Sequence, residues 1–345
     1  MPISKNLFDY ATSELSQDAF ICWLCAQFDS EDPHLRHASQ NLLHKFLNTK
    51  DNSDVHVTCI YRQRHRIDIL IYAEHLDVQY AIIIEDKIRS GKRDSQPKDY
   101  IEKVKDDNEI KAPDSPLAVY YKTETIPELP DVEKRFPTIL GRDDILDALT
   151  DGVDGCENLI LNDYANHLQQ RCAAYNAYSI LPIKEWKDEQ FCGFYEHLRL
   201  ALKSEGYSVE YGRNSNRNGG HWTCWFGNKK KVGKKGWNFQ INIEPPSKNQ
   251  SSANWLLRCV VRFDNPLKEG EPETKSYSRR YFELPEINDN HYATRKSKFT
   301  IMGKLFEIGK DSDEANWGYE EVGQSIRNAI EEYEKWCDDN LYKNL

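Results

Sequence analysis

No apolar run in the 345 residues approaches the ~20 that a membrane-crossing helix needs. Met1 to Lys5 also lacks the basic-then-apolar pattern of a signal peptide. Together these absences predict a soluble, cytoplasmic protein with no membrane partner. A disulfide framework is missing too: the nine cysteines are odd in number and scattered from Cys22 to Cys337, as expected of reduced thiols. The one C-x-x-C, Cys22 to Cys25, lies inside the apolar run Ala19 to Phe28 and reads as helix cysteines facing a core. No G-x-x-x-x-G-K-S/T, G-x-G-x-x-G or G-x-S-x-G occurs, which removes nucleotide-driven motor, dinucleotide-binding and hydrolase-elbow readings. Ten histidines are dispersed; His34, His37 and His44 are neighbours on one segment, but no zinc-binding spacing appears. No internal repeat or low-complexity segment is present.

What is present is enough for two domains: 39% hydrophobic and 12% aromatic residues in a chain longer than a single core usually fills. The formal charge of −10 argues against a protein that coats nucleic acid by bulk positive charge. Its distribution is uneven. Residues 1–182 hold 20 basic and 31 acidic residues, whereas residues 183–345 hold 26 and 25. We therefore expect domains at 1–182 and 183–345. In the second, Tyr211 to Ile243 contains no acid, but does contain Arg213, Arg217, Lys229, Lys230, Lys231, Lys234 and Lys235, interleaved with aromatics including Trp222 and Trp225. Cations that neutralise phosphates beside rings that stack bases suit a nucleic-acid surface. Two strands joined by a solvated basic loop, with the aromatics turned into a core, explain the same stretch.

Periodicity places a first helix after Ser13 or Ser16, with Ala19, Phe20, Trp23 and Leu24 on one face, and a second over about 35–47. Strand character follows at Val55 to Tyr61, Ile67 to Tyr72 and Ala81 to Ile84, then a helix from Pro97 to about Lys105 and a fourth strand at Leu117 to Tyr121. Further helices are expected at Asp143 to Leu149 and Cys156 to Tyr178. The second domain reads as a helix over Asp188 to Ser204, strands at Trp222 to Phe226, Trp237 to Ile243, Trp255 to Phe263 and Phe299 to Ile308, polar connections at Gly270 to Arg280 and Asn288 to Lys298, and a helix over Tyr319 to Trp336. The expected class is α/β: a mixed sheet flanked by helices, followed by a second α+β domain.

The most informative stretch is Arg66 to Ile71 followed by Ala81 to Lys87. Strand alternation sends Glu85 and Lys87 to one side and Asp86 to the other, and the polar connection Glu74 to Gln79 suits a hairpin that brings Asp68 beside them. Two carboxylates and an ammonium at the edge of an apolar sheet fit Mg²⁺, with Asp68 and Glu85 as oxygen ligands and Lys87 near a metal-bound water. A salt bridge among the same three residues fits the spacing equally well.

These residues resemble the PD-(D/E)XK nuclease superfamily, with its restriction-endonuclease-like fold, and more narrowly a bacterial and phage-borne branch of it. Asp68 matches the motif aspartate and Glu85-Asp86-Lys87 the E-x-K; the motif proline is absent, Ile67 standing before Asp68. Glu14 resembles the first-helix glutamate that supports the metal site, and Gln96 with Tyr100 resembles a Q-x-x-x-Y. The likeness runs over residues 6 to about 180. It implies a Mg²⁺-dependent phosphodiesterase, with Mn²⁺ as a substitute: a DNA endonuclease in which Glu14, Asp68 and Glu85 organise the metal, Lys87 positions water and Gln96 orients Lys87 or the phosphate. The rival is a nuclease fold that binds nucleic acid or protein without cutting, or cuts only with a partner, in phage–host defence. A homodimer or a protein partner held through the second domain is compatible with either.

Overall fold

The computed structural model describes residues 4–88, 97–107, 115–126, 132–214, 221–226, 238–246, 252–264 and 299–337. They form two compact units, Met1–Ala173 and Ala174–Leu345; the charge-based boundary at 182/183 lies a few residues beyond that division.

In the first unit, the Ser13 hydroxyl accepts from the Ser16 N–H and starts α1 (Glu14–Cys25). Asp32 caps α2 (Pro33–Leu47), with Pro33 at its first position and Asn48 closing it in the left-handed region at φ 51°. β1 (His56–Arg62), β2 (Ile69–His75) and β3 (Val78–Lys87) then run antiparallel. The β2–β3 hairpin turns in two residues, Leu76 and Asp77, both at positive φ (51° and 63°), the sense of turn that matches strand twist. α3 (Pro97–Lys105) carries the chain across to β4 (Ser115–Lys122), parallel to β3, and β5 (Thr138–Leu140) is parallel to β4. The order is β1-β2-β3-β4-β5. α4 (Arg142–Val153) and α5 (Leu159–Asn176) follow.

This sheet is buried on both faces, which explains its continuous apolar strands. Ile69, Ile71, Ile82, Ile84, Val119 and Tyr121 pack with side chains of α1, α2, α4 and α5. The alternate residues Leu70, Tyr72, Ala81 and Ile83 pack with Tyr100 and Val104 of α3. Asp68 lies one residue before β2, at a bend, not within the strand as expected. β5 is an element the sequence reading lacks; three residues are too few for a periodic signal.

The second unit consists of α6 (Asp188–Ser204), an antiparallel meander β6 (Val209–Asn214), β7 (His221–Phe226), β8 (Asn238–Glu244), β9 (Trp255–Asp264) and β10 (Phe299–Gly309), and α7 (Tyr319–Cys337). Phe194, Tyr195 and Leu198 of α6 and Val322, Ile326 and Ile330 of α7 share a core with Cys224, Ile243 and Leu257 of the sheet. Gly193 permits close approach: a Cβ there would collide with the Tyr175 carbonyl oxygen. β6 was also unforeseen, because Gly212 and the charged Glu210 and Arg213 mask its alternation. The polar connections at 270–280 and 288–298 lie outside the described residues.

Candidate active site

The β2–β3 register pairs Ile69 with Ile84, so one step further sets Asp68 opposite Glu85. Alternation along β3 keeps Glu85 and Lys87 on the same face. The Lys87 Nζ lies 3.0 Å from Asp68 Oδ2 and 2.8 Å from Glu85 Oε1, and it donates to the Asp86 carbonyl oxygen at 2.6 Å. The Asp86 N–H donates to Asp68 Oδ2 at 3.0 Å, fixing that carboxylate against the strand end. Lys87 and Glu85 side chains are only 5% and 9% exposed, while Asp68 is 22% exposed, so the cluster opens toward solvent at Asp68. Burial by itself would pull the Lys87 ammonium down; Glu85, then Asp68, outweigh it and hold its pKa above the ordinary lysine value. Lys87 is therefore a cation throughout the neutral range, a donor and not a proton acceptor.

Glu14, the first residue of α1, accepts from the Ile88 N–H at 3.4 Å, which places it one residue past Lys87. Gln96, and with it Arg217, Lys229, Lys230, Lys231, Lys234 and Lys235, lies outside the described residues.

Residues 6–134 match the family model described as the PD-(D/E)XK nuclease superfamily. That stretch of the first unit is similar to the superfamily. The matched span contains Glu14, Asp68, Glu85, Lys87 and Gln96 and stops short of the whole second unit. No curated protein and no solved structure matches the chain.

Behind the superfamily motif stands a polar layer that sequence reasoning missed. Gln17 of α1 donates from Nε2 to Asp86 Oδ1 and, at 3.4 Å, to the Lys87 carbonyl oxygen, and it accepts from the Thr123 hydroxyl at 2.9 Å. Asp18 and Asp86 are both buried, at 2% and 1% exposure. Asp18 Oδ1 and Asp86 Oδ2 find no donor among the described residues. Burial pushes the Asp86 carboxyl well above its ordinary value and raises Asp18 beside it. The signal was available: Glu14, Gln17 and Asp18 fall at i, i+3 and i+4, a polar stripe on an otherwise apolar helix.

The donor set is all oxygen, which suits a hard divalent cation. Among the described residues no group of three or more His, Cys, Asp or Glu side chains is gathered for a metal. The oxygen donors that do converge are the two carboxylates of Asp68 and Glu85, which could hold a hard divalent cation in part.

In the second unit, Arg213 is exposed and stands opposite Trp222 in the β6–β7 register, its guanidinium 3.8 Å from Asp188. Trp222 is half-buried against the core, and the half-buried Trp225 donates from Nε1 to Glu210 Oε2 at 3.2 Å. Tyr211 and Phe226 are fully in the core. The aromatics of this stretch therefore divide between core and surface.

Proposed function

We propose that this protein is a Mg²⁺-dependent phosphodiesterase that cleaves nucleic acid, with DNA as substrate and endonucleolytic action. The observation that carries the reading is the convergence of Asp68 and Glu85 on Lys87 at the open end of a buried sheet, within a nuclease-superfamily unit. Asp68 carries the two-carboxylate cluster to solvent, where a cation could reach it. Asp68 and Glu85 would hold the metal, with Glu14 supporting the strand end; a bound Mg²⁺ lowers the pKa of its water and neutralises charge building on the phosphate. Lys87, fixed as an ammonium, donates to a phosphate oxygen and to the attacking water, orienting both. Gln17 and Thr123 hold Asp86 and the Lys87 main chain, so that the E-x-K strand keeps its position.

The rival, a non-cutting nuclease-fold module of a phage–host conflict, has an observation of its own: Lys87 already bridges both carboxylates, an arrangement that can persist without any cation. Cleavage assays on duplex DNA, single-stranded DNA and RNA with Mg²⁺ or Mn²⁺ separate the two. Metal-dependent cutting that disappears in folded Asp68→Ala and Lys87→Ala supports the enzyme. Binding without cutting under every condition supports the rival.

A further inference from the structure

The segment joining β1 to β2 adopts a backbone that side-chain-bearing residues rarely hold. Gln63 (φ 57°), His65 (φ 55°) and Arg66 (φ 68°) all occupy the left-handed region, and none is glycine. Such strain persists only where the surroundings over-determine it, and it concentrates at functional sites. Here the restraint is a single carboxylate, Asp107, 8% exposed, two residues past the end of α3. Arg64 grips it with two parallel hydrogen bonds, Nε to Oδ2 at 2.7 Å and Nη2 to Oδ1 at 2.8 Å, and His65 Nε2 lies 2.9 Å from Oδ2. The Arg64 guanidinium also lies over the Tyr61 ring, 4.6 Å from its centroid. From the chain side, the Gln63 N–H donates to the Asp68 carbonyl at 3.1 Å and the Ile67 N–H to the Arg64 carbonyl at 2.9 Å.

Arg66 is the cation this clamp leaves outward. It is exposed, and among the described residues its guanidinium has no partner. Asp68 follows two residues later, within about 7 Å of chain. A half of the molecule with 11 more acids than bases must admit a polyanion at this point, and a guanidinium is the side chain best shaped to grip a phosphate.

We infer that the Asp107-clamped loop Gln63–Arg66 is a phosphate-docking element of the nuclease site: Arg66 binds a backbone phosphate neighbouring the one that is cleaved, and Asp107 is the positioning residue that holds the loop in its strained form. The inference rests on the phosphodiesterase reading of Asp68, Glu85 and Lys87.

The test is duplex-DNA binding by the full chain in chelator between 50 and 200 mM salt, with steady-state cleavage in Mg²⁺ alongside. Losing one phosphate contact lowers the slope of log affinity against log salt by about 0.9. Arg66→Ala should show that loss and a raised KM with kcat within about twofold, while Arg66→Lys keeps the wild-type slope. Asp107→Asn should reproduce the Arg66→Ala slope and KM, and Asp68→Asn should abolish cleavage without lowering the slope. An unchanged slope and KM in Arg66→Ala, with a wild type that binds or cuts, overturns this inference and leaves the phosphodiesterase reading standing. A wild type that neither binds nor cuts nucleic acid overturns both. Arg66 is exposed, so its two variants decide the matter even where Asp107→Asn fails to fold.

Discussion

Each unit buries ionic groups on neighbouring strands, and the two clusters differ in how far they open to solvent. In the second unit Glu244 and Arg258 stand directly opposite in the β8–β9 register, with Nη2 at 3.0 Å and Nε at 3.3 Å from Glu244 Oε2. The guanidinium also lies over the Trp255 ring at 4.5 Å. The packing here is closed: the Glu244 side chain is 1% exposed. In the first unit Lys87 faces two carboxylates, and the more open of them, Asp68, reaches solvent. Burial alone does not distinguish a site from a structural pair. An opening does, since an enclosed pair admits no further ion whereas carboxylates that reach solvent can still take up a cation.

The largest effect expected from breaking this contrast is on catalysis. Replacing Lys87 by Met keeps most of the buried stem but removes the ammonium, and cleavage should fall by roughly 10³-fold, within the usual range for a positioned donor. Measured turnover within tenfold of the wild type would mean that the ammonium only ties the two carboxylates together.

Next in size is the structural pair. Glu244→Ala removes a buried acid that Arg258 binds and should cost about 3–5 kcal/mol in denaturant unfolding, whereas replacing both residues by apolar ones of similar volume should be close to neutral. Neither variant should alter the response to Mg²⁺; a changed metal response would blur the distinction between the clusters.

The third is metal binding itself. Mg²⁺ at a hundred times its Kd should stabilise the first unit by about 2.7 kcal/mol, and Asp68→Ala or Glu85→Ala should erase the gain. Calorimetry on the full chain resolves this as an upward shift of one transition. A shift that survives in both variants would place the cation elsewhere.

How much of this was readable beforehand follows from how local each signal is. Ser13, Asp32 and Pro33 mark helix starts by their own chemistry, and the hairpin plus strand alternation brings Asp68, Glu85 and Lys87 together from spacing alone. Gln17 and Asp18 could be placed on one helix face, but only the docking of α1 against β3 shows that they meet Asp86. The Asp107 clamp joins residues more than 40 positions apart, and nothing in either segment announces the other. In the acid-free stretch from Tyr211 to Ile243, alternation turns Tyr211, Cys224 and Phe226 into the core, with Trp222 on the same face half-buried against it, and leaves Trp225 on the other face, so composition overstated the aromatic surface.

The smallest effect concerns a histidine in the second unit. His197 of α6 lines a groove of about 310 Å³ with Phe194, Tyr319 and Arg327. Partial burial, and then the Arg327 guanidinium, hold its pKa below the ordinary histidine value of 6.5. The unfolded chain therefore takes up this proton more readily than the folded one. Stability from this source is complete above about pH 6.5 and is lost as the pH falls from there through the folded pKa. Proton NMR should place the His197 titration below the ordinary histidine value, and Arg327→Gln should move it upward. Arg327 is itself paired with Glu205, 2.9 Å away, so the upward move should be modest. A His197 that titrates at or above 6.5 would show that solvent in the groove screens Arg327 completely.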